Sequence, residues 1–283
     1  MINDWRGLAG QVLRRLWRRE PPTPVPRTRG RFPDVVINGQ NADKVDDIAK
    51  RLGVRGITAS IGTAEGVAKL IEQLPDVDIL VNNVGVFTVQ PVFEIPDDEW
   101  LRFYQINVLS GVRLARHYAP RMADRGWGRV IFLSSEAGVQ TPTDMVHYGM
   151  TKSAQLALSR GMAQEVAGTG VTVNSVLPGP TMSNGVVAMW DDLYPGLDRT
   201  EQERRYVAEG RAATSLLHRL IRPHEVANLI TYVASDQASA TTGSALSVDG
   251  GLVPPSSPES AESTPCTFRT ATKDATPPAP FDR

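Results

Sequence analysis

Cysteine is almost absent from this chain: Cys266 stands alone in a polar stretch. One thiol cannot close an intramolecular disulfide, which points to a reducing compartment and to the expectation of a cytoplasmic protein. Histidine is scarce too, four residues without ligand spacing, so no metal centre is expected. Long apolar runs are missing. Nothing approaches the roughly 18 residues of a membrane span, and arginines break every apolar stretch near the N-terminus, so no secretory core is read there. An excess of one charge is also lacking. With 30 Lys and Arg against 31 Asp and Glu, the formal net charge is −1, which gives no general attraction to nucleic acid or anionic membranes.

What is present falls into three zones. Residues 1–33 carry arginine as their only basic residue type and crowd Pro21, Pro22, Pro24, Pro26 and Pro33 together. Residues 254–283 turn to Pro, Ser, Thr and Ala, with Phe268 and Phe281 as the only large apolar groups. Such a tail buries too little surface to offset its ordering entropy, so disorder is expected. Residues 34–253 read as one α/β domain. Strands are predicted at Val35–Asn38, Arg55–Ser60, Asp78–Asn82, Arg129–Ser134, Val171–Leu177 and Ala245–Val248. Helices are predicted near Ala42–Leu52, Ala64–Leu74, Asp97–Arg125, His147–Gly168 and Pro223–Ser235. Strands apolar on both faces, separated by helices, imply a doubly wound, Rossmann-like parallel sheet that binds ligands beyond the carboxyl ends of its strands.

The unusual polar residues gather at those ends. Asn82-Asn83-Val84-Gly85 closes one predicted strand, Ser134-Ser135 another, and Pro178-Gly179-Pro180-Thr181 a third. Tyr148 and Lys152 open the helix after the serines, and their i, i+4 spacing places them on one face. Asn107 interrupts an apolar helix pattern between Ile106 and Val108.

In this arrangement the chain resembles the short-chain dehydrogenases/reductases. Tyr148-Gly-Met-Thr-Lys152 is similar to their Tyr-x-x-x-Lys signature, and Ser135 lies thirteen residues before Tyr148, at the offset of their catalytic serine. Asn82-Asn83-Val84-Gly85 resembles their Asn-Asn-Ala-Gly motif, with Val for Ala. Ile106-Asn107-Val108, Asn174-Ser-Val-Leu-Pro178-Gly179 and Val248-Asp249-Gly250-Gly251 resemble further landmarks in the same order. The resemblance implies a nicotinamide-dependent oxidoreductase acting on a small carbonyl or alcohol substrate. It implies Asn107, Ser135, Tyr148 and Lys152 as catalytic residues. Cofactor contacts are implied for Ser60, Ile61, Asn83, Gly85, Tyr148, Lys152, Pro178, Gly179 and Thr181. Asn107 would anchor a water linking Lys152 to solvent, and pairing through the two long helices would give a homodimer or homotetramer. Asn38-Gly39-Gln40-Asn41 lacks the acid that NAD-preferring members place at the end of the second strand, which favours NADP(H) over NAD(H).

The chemistry can be argued without the family name. A free tyrosine has a pKa of about 10. A charged lysine about 5 Å away, at an effective dielectric near 20, favours the phenolate by about 3 kcal/mol. That is a little over two pKa units, enough to make Tyr148 a general acid-base group near neutrality. His147, beside it, is read as structural because its helix position faces away from the Tyr148 and Lys152 face.

One expected feature is lacking from the sequence. Family members follow their first strand with Gly-x-x-x-Gly-x-Gly, whose backbone N–H groups cradle the cofactor's phosphates. Between Val12 and Val35 stand 22 residues with Gly30 as the only glycine. A compensated pair of frameshifts in a GC-rich gene would produce such an Arg/Pro-rich stretch. Alternatively, Trp5, Leu8, Ala9, Val12, Leu13, Leu16 and Trp17 fall at helical spacing, as in an interfacial helix. Gly62-Thr-Ala-Glu-Gly66-Val-Ala68 resembles a phosphate turn but sits after the wrong strand. The expectation is weak cofactor binding, and the competing reading is a catalytically silent scaffold or binding protein of the same fold.

Overall fold

The computed structural model describes residues 35–254, so the expectations for residues 1–34 and for the tail from residue 255 fall outside it. The chain begins with β1 (Val36–Gly39), α1 (Ala42–Leu52), β2 (Arg55–Thr58), α2 (Ala64–Gln73) and β3 (Ile79–Asn82). It continues through α3 (Asp97–Tyr104), a π-helical turn (Gln105–Leu109), α4 (Ser110–Asp124), β4 (Gly128–Leu133) and α5 (Val146–Glu165). The last elements are β5 (Val171–Pro178), α6 (Asn184–Leu193), α7 (Arg199–Glu209), α8 (Pro223–Val233) and β6 (Ala245–Val248). Local chemistry explains several boundaries. Asn41 caps α1 by accepting from the Lys44 N–H, and Gly53 ends it with φ 66°, a left-handed conformation that favours glycine. Thr63 caps α2 and Asp198 caps α7 in the same way.

Every strand pair is parallel. β1 pairs with β2, and β3, β4, β5 and β6 pair in that order. Among the described residues no strand joins β1 to β3, so the sheet comes in two pieces. They share one hydrophobic core: Ile57 and Ala59 pack in the same cluster as Leu80, Phe132, Leu114 and Tyr118. β4 feeds both faces of the sheet. Val130 and Phe132 join the α2, α4 and α5 side, whereas Ile131 and Leu133 join Val226, Ile230 and Val233 of α8. Helices cover both faces, as a doubly wound fold requires. All of β4 and β5 is buried, while Val81 on β3 is exposed.

Two sequence expectations change. The predicted helix Asp97–Arg125 is divided into α3, the π-helical turn and α4, because Asn107 is drawn inward at that turn to bond a loop backbone. The segment Met182–Leu217, for which no strand or helix is predicted from the sequence, carries α6 and α7. These have a small core of their own around the fully buried Trp190, with Val207, Ala212 and Leu220. Its composition hides this, since α7 is mostly charged and offers few apolar positions from which a period can be read.

The glycines resembling a phosphate turn have a packing role. A Cβ on Gly66 would stand 1.9 Å from the Ser60 carbonyl oxygen, so the first turn of α2 lies directly on the backbone following β2. Gly66→Ala is expected to lower stability by about 2 kcal/mol or more, since backbone cannot yield as a side chain can. The urea midpoint measures this, and an unchanged midpoint would mean that α2 shifts away without cost.

Candidate active site

The carboxyl ends of β3, β4 and β5 hold the polar residues that the sequence singles out. β3 ends in Asn82, β4 runs into Ser134 and Ser135, and β5 runs through Pro178 into Gly179. α5 then brings Tyr148 and Lys152 back against the β4 end.

Lys152 is the best-anchored of these groups. It is 5% exposed, and its Nζ donates to the Leu133 carbonyl at 2.7 Å and to Gln155 Oε1 at 3.3 Å. Nζ also lies 5.5 Å from the centre of the Tyr148 ring. Burial pulls the lysine pKa down to about 7, with Glu136 opposing the fall. Along the sequence alone nothing strips the ammonium of its charge. Desolvation changes that, because above about pH 7 the lysine gives up the charge that would favour the Tyr148 phenolate. Ser134, absent from the sequence-based set, pins the main chain of Lys152 through a 2.8 Å bond from Oγ to the lysine carbonyl. The Tyr148 ring meets Phe87 edge-on, with centres 6.2 Å apart.

Ser135 opens the short 3-10 turn Glu136–Gly138. Its Oγ accepts from the Ala137 N–H at 3.2 Å and donates to the Glu136 carboxylate. Glu136 is buried and was also overlooked, since a single acid among small residues has no periodic signal. A Ser135 hydroxyl that is to donate to a substrate oxygen must first turn from Glu136.

Asn107 is 1% exposed and its amide is fully engaged. Oδ1 accepts from the Val86 N–H at 2.7 Å, and Nδ2 donates to the Val86 carbonyl at 3.0 Å and to Thr151 Oγ1 at 2.9 Å. Its main-chain carbonyl accepts from Gln155 Nε2 at 2.6 Å. Gln155 thus joins the Asn107 main chain to Lys152, accepting from Nζ with its Oε1 and donating to the Asn107 carbonyl with its Nε2.

The remaining candidate contacts divide. Gly85 lies within the cluster, because a Cβ there would stand 3.5 Å from Asn107 Oδ1 and 3.6 Å from Lys152 Nζ. Asn83 Oδ1 and both amide atoms of Asn82 are buried without a hydrogen-bond partner among the described residues. Gly179 is pressed on the Asp249 backbone, where a Cβ would approach to 2.8 Å. Thr181 Oγ1 donates to the Gly179 carbonyl at 2.8 Å. Ser60 is exposed after β2, whereas the Ile61 side chain belongs to the core. Asp249, of the Val-Asp-Gly-Gly landmark, accepts from the N–H groups of Gly251 and Val253 and so shapes its own turn.

His147 is placed as the sequence suggests. It is fully buried, bonds Thr88 Oγ1 through Nε2 at 3.0 Å and packs 4.1 Å from the Phe103 ring; burial lowers its pKa. Among the described residues no cluster of acids, histidines or cysteines could hold a metal, and no helix is long and apolar enough to cross a membrane.

Comparison with known proteins agrees with this arrangement. The profile of the enoyl-(acyl carrier protein) reductase family matches residues 34–253. The uncharacterized oxidoreductase YvaG of Bacillus subtilis is 45% identical over 228 residues, covering 77% of this chain and 86% of that protein. Dehydrogenase/reductase SDR family member 4 of Caenorhabditis elegans is 30% identical over 232 residues, covering 77% and 85%. The crystal structure of L-sorbose reductase from Gluconobacter frateurii, complexed with NADPH and L-sorbose, is similar with a TM-score of 0.72. That likeness has 29% identity and covers 78% of this chain and 87% of that one. With a matching profile, relatives of this identity and coverage, and the tyrosine and lysine on one helix at the sheet's carboxyl edge, the chain belongs to the short-chain dehydrogenases/reductases, a family of nicotinamide-dependent oxidoreductases.

Proposed function

We propose that this chain interconverts a small carbonyl compound and its alcohol, with NADP(H) as redox partner and Tyr148 as the general acid-base group. The observation that carries the reading is the buried Lys152 ammonium, fixed between the Leu133 carbonyl and Gln155 and facing the Tyr148 ring. Such an arrangement serves a tyrosine that must give up and regain a proton. As surface groups, a tyrosine and a lysine would have no need of it.

The residues fit the nicotinamide-ribose half of a dinucleotide. Gly85 leaves open the space beside Lys152 Nζ, and Asn83 offers a buried acceptor without a protein partner among the described residues. When bound, the nicotinamide supplies or accepts the hydride. Lys152 and Tyr148 would hold the ribose hydroxyls, Asn83 and Gly85 would floor the site, and Pro178, Gly179 and Thr181 would border the nicotinamide amide. Ser60 and Ile61 would lie toward the adenine, Ile61 through its backbone because its side chain is buried in the core. Tyr148 would protonate the carbonyl oxygen in reduction and take the hydroxyl proton in oxidation. Ser135 would steady that oxygen after turning from Glu136, and Asn107 would hold the Val86 backbone that lines the site. NADP(H) is supported by the absence of an acid in Asn38–Asn41 and by the NADPH of the similar sorbose reductase structure. A cytoplasmic homodimer or tetramer fits the single cysteine and the exposed Leu101, Tyr104 and Met150 on α3 and α5.

A second reading rests on the sequence before Val35, which has no glycine-rich turn. Charge-assisted bonds from such a turn contribute roughly 1.5–3 kcal/mol each, so losing two or three weakens cofactor binding by about two to six decades. NADPH titration of the purified chain by fluorescence is expected to give a dissociation constant weaker than micromolar. A micromolar or tighter value would remove this second reading and leave residues 1–34 as a phosphate cradle of another kind.

If reductase activity is measured, Tyr148→Phe is expected to abolish it, since no proton donor remains at the carbonyl oxygen, and Ser135→Ala to lower it less. Activity near the wild-type rate in Tyr148→Phe would sink the assignment.

Lys152 also predicts a pH-dependent stability. The unfolded lysine titrates near 10.4, and the folded one at about 7. Between those values the unfolded chain binds more protons, so stability rises with pH across the window, and the full burial cost applies below it. Lys152→Met is therefore expected to raise the urea midpoint near pH 6, by up to about 4 kcal/mol in stability, and to change it little near pH 10. An equal effect at both pH values would show that burial does not depress this lysine.

A further inference from the structure

Gln155 belongs to none of the motifs that place the chain in its family, yet it lies at the centre of the buried polar network. It is 2% exposed and sits three residues after Lys152 on α5, on the same helix face. Both ends of its amide are used. Oε1 accepts from Lys152 Nζ at 3.3 Å, and Nε2 donates to the main-chain carbonyl of Asn107 at 2.6 Å. That carbonyl belongs to the π-helical turn Gln105–Leu109, whose widened ladder lets a side chain from the neighbouring helix reach a main-chain oxygen. The amide is thus oriented by one partner and presents its oxygen to the other.

We propose that Gln155 is the positioning residue of the acid-base pair, the acceptor that keeps Lys152 charged and aimed at Tyr148. This rests on the oxidoreductase reading and deepens it. A lysine ammonium has three donors. Leu133 takes one at 2.7 Å and Gln155 a second at 3.3 Å, which directs the third to the side where the Tyr148 ring lies 5.5 Å away. Glu136, on the turn packed against α5, and Tyr148, on α5 itself, are the ionisable groups that face Lys152. β4 and the π-helical turn contribute only the carbonyls of Leu133 and Asn107 to this network. A buried ammonium is costly unless its donors are satisfied, so each neutral acceptor weighs on whether the lysine holds its proton. Gln155 acts through Lys152 and contacts no reacting atom.

The test is Gln155→Met, which retains length and apolar volume but removes the strong acceptor, with Gln155→Asn as a second variant that keeps an amide too short to span both partners. Tyr148 ionisation is followed by ultraviolet difference titration of tyrosinate, with the Tyr148→Phe protein subtracted to remove the other five of the six tyrosines. This readout needs neither cofactor nor substrate. The Tyr148 titration is expected to move up by about one pH unit in Gln155→Met and by less in Gln155→Asn. The acid limb of the alcohol-oxidation profile should move with it, a roughly tenfold loss of kcat below the limb, while KM stays within about twofold. Folded variants that titrate with the wild type overturn the proposal. Loss of folding in both variants assigns Gln155 to core stability and overturns it equally. A shifted titration in a protein without oxidoreductase activity upholds the positioning role and sinks the enzymatic reading. Activity with an unshifted titration does the reverse.

Discussion

The ammonium of Lys152 is the constraint around which the site is built. A lysine this deeply buried loses the hydration that favours its charged form, and its pKa falls to about 7. Its hydrogen-bond acceptors are the Leu133 carbonyl at the end of β4 and the Gln155 amide one helical turn along α5, with Glu136 farther off as a countercharge and the Tyr148 ring on its open side. Those contacts fix how α5 lies on β4, and Ser134 reinforces the fit by bonding the Lys152 carbonyl. Removing the lysine relieves a stability cost and removes the charge that a catalytic tyrosine needs, so stability and activity oppose each other at one residue.

Asn107 links this site to the rest of the fold. Its side chain ties down Val86 from both backbone groups, and its carbonyl anchors Gln155. The π-helical turn makes both possible, since an unbroken helix would carry the side chain past the loop and keep the carbonyl in its own ladder. A deviation of one element therefore serves the loop after β3, the helix that holds Tyr148, and the lysine together. His147, next to Tyr148 in sequence, serves the opposite side of α5, packed on Phe103 and Trp100.

Much of the architecture was legible in the residues because its signals are local. Runs such as Val130-Ile-Phe-Leu133, apolar on both faces, specify a strand covered on both sides. Asn41, Thr63 and Gly53 mark helix ends by their own hydrogen bonding and backbone preferences. Tyr148 and Lys152 could be placed on one face by counting, and Ser135, Asn83 and Gly85 by their position at strand ends. α6 and α7 were not legible, because Trp190 finds its core only when Leu220 and Val207 arrive from elsewhere in the chain.

The sequence by itself determined the order of the strands and of the helices that cover them, apart from α6 and α7, together with the family, the tyrosine-lysine pair and the scarcity of glycine between Val12 and Val35. These depend on periodicity, spacing and residue identity, which are properties of neighbouring positions. Only the tertiary structure decided the protonation balance of Lys152, the partnership of Ser135 with Glu136, and the bridge that Gln155 makes between Asn107 and Lys152. Each of those depends on desolvation and on contacts between residues from separate elements, such as the 48 positions between Asn107 and Gln155. Burial and hydrogen-bond geometry exist only once β4, the π-helical turn and α5 have been packed together, so no reading along the chain alone contains them.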